Sequence, residues 1–229
     1  TSSGWRGRRA QDVVPPEAED LRAGARALGL ALDDSAIERL LRFEALLVKW
    51  NATHNLTAIR SPDEMRTHHL LDSLSLAAPL TRWMPAGGRR VLDVGAGGGL
   101  PGIPLAIVRP DLEFTLVDAV QKKVAFLRQA QLELGLANLT TVHGRIEALA
   151  LEPFPLITAR AFAALPKFCE LTRPLLAPGG VWLAMKGLRP EAELAALPPW
   201  AEVLAIEPLE VPDLEEARHL VVARVGPQP

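Results

Sequence analysis

The sequence predicts an α/β fold, a mostly parallel seven-stranded sheet covered by helices on both faces, with an antiparallel C-terminal hairpin and an N-terminal helical extension. Three observations carry that expectation. From Arg90 onward short apolar runs alternate with helical segments, a pattern that winds a parallel sheet on both faces. The first run leads straight into a glycine loop, "VLDVGAGGGLPG" (91–102). The last two runs follow one another without a helix, so they pair antiparallel and make the sheet mixed.

In chain order, residues 1–15 carry Arg6, Arg8 and Arg9 with no apolar segment behind them. That is not a secretory signal, and it reads as a mobile arm. Residues 16–85 read as a helical extension. "PEAEDLRAGARALGL" (16–30) has apolar residues at helical spacing and stops at Gly29. "DDSAIERLLRFEALLVKW" (33–50) places Ile37, Leu40, Leu41, Leu47 and Val48 near one face, with Asp33 or Asp34 as N-cap. "SPDEMRTHHLLDSLSLAAPL" (61–80) opens on Ser61, with Pro62 at the first helical position and Glu64 three residues after the cap, which predicts a capping box. "PAGG" (85–88) breaks the chain. Residues 86–229 then form the α/β domain. The predicted strands are "RVLDV", "EFTLVD", "LTTVH", "PLITA", "VWLAMK", "AEVLAIEPLEV" and "RHLVVARV". Helices are expected to begin near Gly99, Gln121, Ile146 and Leu165, with a fifth in 188–197.

Composition narrows the function classes. A chain of 229 residues with 48% hydrophobic and 23% charged residues is globular, and no apolar run reaches the ~18 residues of a membrane span. The single cysteine, Cys169, permits no internal disulfide, which fits a reducing cytoplasm. One cysteine and five scattered histidines offer no zinc spacing, so no metal is expected. A net charge of −2 argues against a protein that holds nucleic acid by bulk charge alone, though not against a local basic patch facing a shaped RNA–protein target.

The glycine loop admits three ligands in principle. A nucleotide-triphosphatase loop requires Lys and Ser/Thr after its last glycine, but Ile103 and Pro104 follow Gly102, so that reading fails. Gly97, Gly99 and Gly102 satisfy G-x-G-x-x-G, and Asp118 ends the next strand, as a dinucleotide site requires. The third ligand is S-adenosylmethionine. Rossmann-like methyltransferases place an acid at the end of the first strand before Gly-x-Gly-x-Gly, as Asp93 stands before Gly95, Gly97 and Gly99. This cofactor has no phosphate, so an acid near the loop is tolerated. Asp118 then takes the ribose hydroxyls, and "GRIEAL" (144–149) brings Ile146 and Glu147 to the adenine. Alternatively, Asp93 only orients the loop backbone.

Specific motifs extend the third reading. "KWNATHNLTAIR" (49–60), "HHLLDSLSL" (68–76), "LDVGAGGGLPGIPLAIVRP" (92–110), "VDAVQKKVAFL" (117–127), "ARAFAAL" (159–165), "AMKG" (184–187) and "RHLVV" (218–222) together resemble the glucose-inhibited division protein B family, the bacterial 16S ribosomal RNA guanine-N7 methyltransferases, over roughly residues 40–225. Gly98 stands where a variable residue is usual. The resemblance implies a Rossmann-like class I methyltransferase fold. It also implies methyl transfer from S-adenosylmethionine to N7 of guanosine 527, in the 530 loop of 16S rRNA, within the small ribosomal subunit or its assembly intermediate. Carried over by position, the cofactor residues are Gly95, Leu100, Asp118, Ala119, Val120, Ile146, Glu147 and Arg160. A cytoplasmic monomer is expected.

The chemistry is consistent with this. Guanine N7 has an exposed lone pair and needs no general base; the protein must align the reactants and exclude water. No N-P-P-Y stretch, often used for exocyclic amines, is present. Cys169 falls on a predicted helix and reads as a buried small residue rather than a nucleophile. Arg160 follows the fourth strand at the ligand-binding edge and is the candidate catalytic residue, donating to guanine O6 or a phosphate; the structural alternative is an ion pair with an acid such as Glu147. Asn55, Arg60, His69, Lys186 and Arg218 are the candidate RNA contacts, with Lys49 and His219 nearby. Asn51, Asn55 and Thr57 lie in a turn expected to cover the cofactor or shape the guanine pocket, and His69 and Asp72, three apart, are expected to share a helix face and to hydrogen-bond. Lys122, Lys123 and Arg128 read as mostly solvated surface. Two other classes stay open on the residues alone, a nicotinamide-dependent oxidoreductase, though the chain contains no Tyr for a Tyr-Lys pair, and a protein that senses S-adenosylmethionine without catalysis.

Overall fold

The structure, a computed structural model, describes residues 15–227. The arm assigned to residues 1–15 lies, apart from Pro15, outside the described residues. The extension begins with α1 (Pro16–Ala27) and α2 (Asp34–His54). α1 ends where Gly29 takes φ +77° and the Leu30 amide returns to the Ala25 carbonyl at 2.8 Å, a glycine-terminated helix end. Asp33, rather than Asp34, caps α2 by accepting from the Ala36 amide at 2.7 Å. α2 ends at Asn55 in the left-handed region, φ 49°, a conformation Asn tolerates better than most residues.

The single helix expected over 61–80 is broken. It divides into α3 (Pro62–Met65), a π-helical turn (Arg66–Leu71), α4 (Asp72–Leu74) and α5 (Ala77–Trp83). Pro62 opens α3 as predicted, but the Ser61 side chain makes no capping bond, so the capping box does not form. The π turn widens the helix by one residue at the segment that carries His68 and His69 and leads into Asp72.

The α/β part runs β1 (Arg90–Val94), α6 (Gly102–Val108), β2 (Glu113–Asp118), α7 (Gln121–Leu134), β3 (Leu139–His143), β4 (Phe154–Arg160), α8 (Leu165–Thr172), β5 (Leu176–Lys186), α9 (Glu191–Ala195), β6 (Ala201–Pro208) and β7 (His219–Val225). The strand order is β3-β2-β1-β4-β5-β7-β6. β1 to β5 are parallel, and β7 inserts antiparallel between β5 and β6. The predicted seven-stranded mixed sheet and its terminal hairpin are therefore both present. Two helix expectations need correction. The first sheet helix starts at Gly102 rather than near Gly99, because the glycine loop continues through Pro101. The segment at Ile146 is a single 3₁₀ turn, Ile146–Ala148; Pro153 and Pro155 follow too soon for a longer helix.

Alternation along the strands sorts side chains to the two faces. Leu92 and Val94 pack with Ile157, Phe168 and Trp182 on one face. Val91 lies on the other, in a core shared by the extension and the sheet helices, where Leu40, Phe43 and Leu47 of α2 meet Ile103 and Phe126. The extension is thus packed into the domain that carries the glycine loop, and this packing brings its turns to the ligand-binding edge of the sheet.

Candidate active site

The strand order reverses between β1 and β4, so a crevice opens beyond their C-terminal ends. The glycine loop lies across it. The Gly95 and Ala96 amides donate to the Val117 carbonyl at 2.9 and 3.1 Å. The Asp118 carboxylate accepts from the Gly97 amide at 2.9 Å and the Val120 amide at 2.8 Å, locking the loop to the end of β2. A carboxylate has about four lone-pair sites, so two remain for hydroxyl donors. Gly97, at φ +55°, is where a side chain would fill the cradle: a Cβ there would meet nothing nearer than the Gly95 carbonyl oxygen at 3.7 Å. Gly98 has no left-handed φ, and its Cβ would lie 3.2 Å from the Leu47 side chain of α2.

Asp93 sits behind the loop and lines neither cavity of the crevice. It is fully buried; one carboxyl oxygen accepts from the Gly102 amide at 2.9 Å and the other has no partner. Burial raises its carboxyl from 3.8 to about 7. His69 is shifted the other way, from 6.5 to about 4, first by burial and then by the Arg160 charge. The two have opposite consequences. Between about pH 4 and 7 the folded state holds a proton on Asp93 that the unfolded chain has released, so this contribution falls as pH rises. Between about pH 4 and 6.5 the unfolded chain protonates His69 and the folded state does not, so that contribution is lost as pH falls. Asp93→Asn removes the first and keeps the Gly102 contact. The unfolding free energy of the variant relative to the parent is therefore expected to rise with pH from 4 to 7, by at most on the order of 1.4 kcal/mol per pH unit. Denaturant titrations across that range measure it, and a difference independent of pH would refute it.

Two cavities adjoin in the crevice, sharing Gly95, Lys123 and Ala161 in their walls. The smaller, about 360 Å³, is lined by Asp118, Ala119, Ile146, Glu147 and Phe162 among others. It pairs apolar walls with a carboxylate at one end, as a nucleoside needs. The larger, about 580 Å³, is lined by Gly97, Leu100, Leu56, Thr57, Met185 and a set of polar side chains that includes His69, Asp72, Arg160, Lys186 and Arg218. Ala161, a non-glycine at φ 53°, turns the chain sharply after β4. Such strain persists only where the surroundings hold it. Beyond that turn the Phe162 ring closes over Gly95, where a Cβ would come within 2.5 Å of it.

Asp72 organises the larger cavity. Its buried carboxylate accepts from Arg160 Nη1 at 2.9 Å and from Arg218 Nε at 3.1 Å. Arg160 also donates to the His68 carbonyl at 3.0 Å. The Arg160 ion pair is thus with Asp72; Glu147 pairs with Arg145 at 2.8 Å. The expected His69–Asp72 bond does not form. The ring instead meets Thr57 Oγ1 through Nε2 at 2.7 Å and the His68 carbonyl through Nδ1 at 2.9 Å. Since the His68 carbonyl can only accept, Nδ1 carries the ring's one proton and donates to it, and Nε2 accepts from the Thr57 hydroxyl. Asn51 fixes the same turn, its amide bonding both the Thr57 amide and the Ile59 carbonyl.

Lys186 reaches the cavity wall but is neutralised by Glu193 at 2.7 Å and also donates to the Ala163 carbonyl. Arg218 precedes β7 rather than opening it, and His219 ties that strand to the Gly187 carbonyl at 2.8 Å. Asn55 and Arg60 do not line the cavity; both are exposed, and Arg60 donates to Asn55. Val120 is 40% exposed and lines neither cavity. Cys169 is buried, and burial pushes its thiol up to about 12, so it supplies no thiolate. Among the described residues no cluster of potential metal ligands occurs, and no helix is long and apolar enough to cross a membrane. Lys123, Ala161, Phe162 and Met185 also stand in the cavity walls, positions that sequence reasoning does not assign to them. The one signal for Lys123 is its place two residues after the start of the helix that follows Asp118.

Comparison with known proteins gives the chain's family and its fold. A family model described as rRNA small subunit methyltransferase G matches residues 36–221. The chain is 54% identical over 217 residues to the ribosomal RNA small subunit methyltransferase G of Ralstonia nicotianae, covering 93% of this chain and 97% of that one. It is 50% identical over 211 residues to the protein of the same name from Leptothrix cholodnii, covering 92% and 97%. Among solved structures it is similar to an O-methyltransferase from Bacillus cereus in complex with SAH, with a TM-score of 0.57 and 20% identity over 91% of this chain and 100% of that one. It is also similar to a SAM-dependent methyltransferase from Aquifex aeolicus, with a TM-score of 0.52 and 18% identity over 72% and 99%. At these identities the structural likeness speaks to the fold, which is the Rossmann-like class I methyltransferase fold expected from the sequence.

Proposed function

The chain belongs to the rRNA small subunit methyltransferase G family, and we propose that it methylates N7 of guanosine 527 in 16S rRNA, using S-adenosylmethionine and releasing S-adenosylhomocysteine. It acts as a monomer in the cytoplasm, on the small subunit or its assembly intermediate. The observation that carries this reading is the placement of His69, Arg160, Lys186 and Arg218 around one cavity that shares the glycine loop with a nucleoside-sized pocket.

The residues present fit the cofactor. The spare lone pairs of Asp118 suit a ribose, Ile146 and Phe162 suit an adenine, and the bare cradle at Gly97, on the side of the larger cavity, leaves room for the cofactor's tail. When bound, S-adenosylmethionine supplies a methyl group on a sulfonium, which N7 takes up through its ring-plane lone pair with no proton to remove. The work left to the chain is positioning and water exclusion. Arg160 cannot use the bidentate grip on guanine O6 and N7 that arginine favours, because a donor on N7 would occupy the reacting lone pair. Its free donors go instead to O6 or to the adjoining phosphate. His69, neutral at pH 7, closes the wall beside it without adding a further positive charge. The nicotinamide alternative loses its support with family membership. For a sensor without catalysis, the test is methyl incorporation. Undermethylated small subunits incubated with the protein and labelled cofactor are expected to gain one 7-methylguanosine, located by mass mapping of 16S rRNA; unchanged modification would overturn the proposal.

A further inference from the structure

We infer that an acid-free basic strip along the facing ends of α2 and α7 is the track on which the phosphodiester backbone of the substrate RNA lies as it enters the larger cavity. The inference rests on the RNA-methyltransferase reading above. α2 and α7 pack antiparallel. Near one end Arg42 meets Glu133 at 3.8 Å; toward the other the Trp50 and Phe126 rings meet edge to face at 5.6 Å. This brings the C-terminal end of α2 beside the N-terminal end of α7. Lys49 and Lys122 are exposed there, Arg128 is exposed nearly two turns further along α7, and Arg60 is exposed on the turn that follows α2. Lys123 lies in the same stretch and forms part of the cavity wall together with Leu56 and Thr57 of that turn.

Charge is segregated along these elements. Residues 45–60 and 119–132 contain no Asp or Glu, in a chain whose net charge is −2. Among the described residues, none of Lys49, Arg60, Lys122, Lys123 and Arg128 is in an ion pair, whereas the basic residues elsewhere around the cavity, Arg160, Lys186 and Arg218, each have a carboxylate partner. Single cations without acidic partners among the described residues occur elsewhere, as at Arg89, but here five fall in two segments without acidic residues. A run left without them, ending at a cavity wall, suits a polyanion that supplies the missing charge and releases counterions on binding. The small overall charge then means that affinity is local, directed to the backbone near the reacting base.

The test uses the full chain and undermethylated small subunits. Lys49→Glu, Lys122→Glu and Arg128→Glu are made singly and together; all three side chains are exposed, so folding and cofactor affinity serve as internal controls. Arg89→Glu, an exposed cation without an ion pair outside the strip, is the charge-matched comparison. The triple variant is expected to bind subunits at least about tenfold more weakly near 0.1 M salt, with the slope of log affinity against log salt shallower by roughly 0.7–0.9 for each phosphate that is no longer neutralised. Arg89→Glu should change neither. A short cross-linker on Lys122→Cys should attach to rRNA. Unchanged affinity and slope in the triple variant overturn the inference, and so does cross-linking confined to a ribosomal protein, which would make the partner an acidic protein surface. If the parent methylates subunits while the strip variants bind as it does, only the strip fails; if the parent methylates none, the underlying reading fails.

Discussion

Arg160→Ala is expected to reduce the single-turnover rate of methyl transfer into undermethylated small subunits by roughly 10²–10³, the usual cost of removing one fixed donor from a reacting centre. Cofactor affinity should change little, because the guanidinium is anchored in the larger cavity by Asp72 and the His68 carbonyl and does not line the smaller one with Ile146 and Phe162; a large loss of affinity would instead bear out the expectation that Arg160 holds the cofactor. The loss should fall on the rate at saturating subunit rather than on binding, since the strip on α2 and α7 is untouched. Arg160→Lys should recover little: an ammonium cannot hold the Asp72 and His68 contacts while keeping a planar fork for the base. A variant that methylates at the parent rate would end the assignment of Arg160 as catalytic.

Asp118→Ala is expected to weaken S-adenosylmethionine binding by roughly 10²- to 10⁴-fold. Two hydroxyl donors to a charged acceptor contribute about 1.5–3 kcal/mol each, and the alanine also strands the Gly97 and Val120 amides that the carboxylate now holds. Loss of the second role loosens the glycine loop, so the variant should also melt earlier. Asp118→Asn should fall between the parent and the alanine variant in both readouts, because its single carbonyl oxygen can keep one amide but its NH₂ must face the other. Equilibrium dialysis against labelled cofactor gives the affinity, and thermal melts without cofactor give the loop contribution. Affinity within threefold of the parent would remove Asp118 from the cofactor site.

Pattern made much of the fold legible in advance. The strands from β1 to β7 were readable because each is a short apolar run with a turn or helix signal at its end, and the hairpin because no helical segment separates its strands. The glycine loop and Asp118 were readable because both belong to one local strand–loop–helix–strand unit, where sequence spacing fixes spatial spacing. Helix boundaries were less secure. A proline and glycine rhythm in the loop delayed α6 to Gly102, and the segment at Ile146 has helix-forming residues but too little chain before Pro153 to use them.

What the sequence alone determined at the end of β1 was an exclusion: Ile103 and Pro104 stand where a triphosphate loop needs Lys and Ser/Thr, while the glycine spacing by itself left a dinucleotide open. Membership in a family of RNA methyltransferases was also written in its motifs. Tertiary structure decided which charges meet. Asp72 and Arg160 lie 88 residues apart, and Asp72 and Arg218 lie 146 apart; no local spacing rule connects them. The choice between Glu147 and Asp72 as the Arg160 partner, and between Asp72 and Thr57 as the His69 partner, depended on how the π turn rotates residues 66–71 and on how the extension docks against the sheet edge. Those are packing outcomes, set by volume and burial across the whole core, and only the assembled chain contains them.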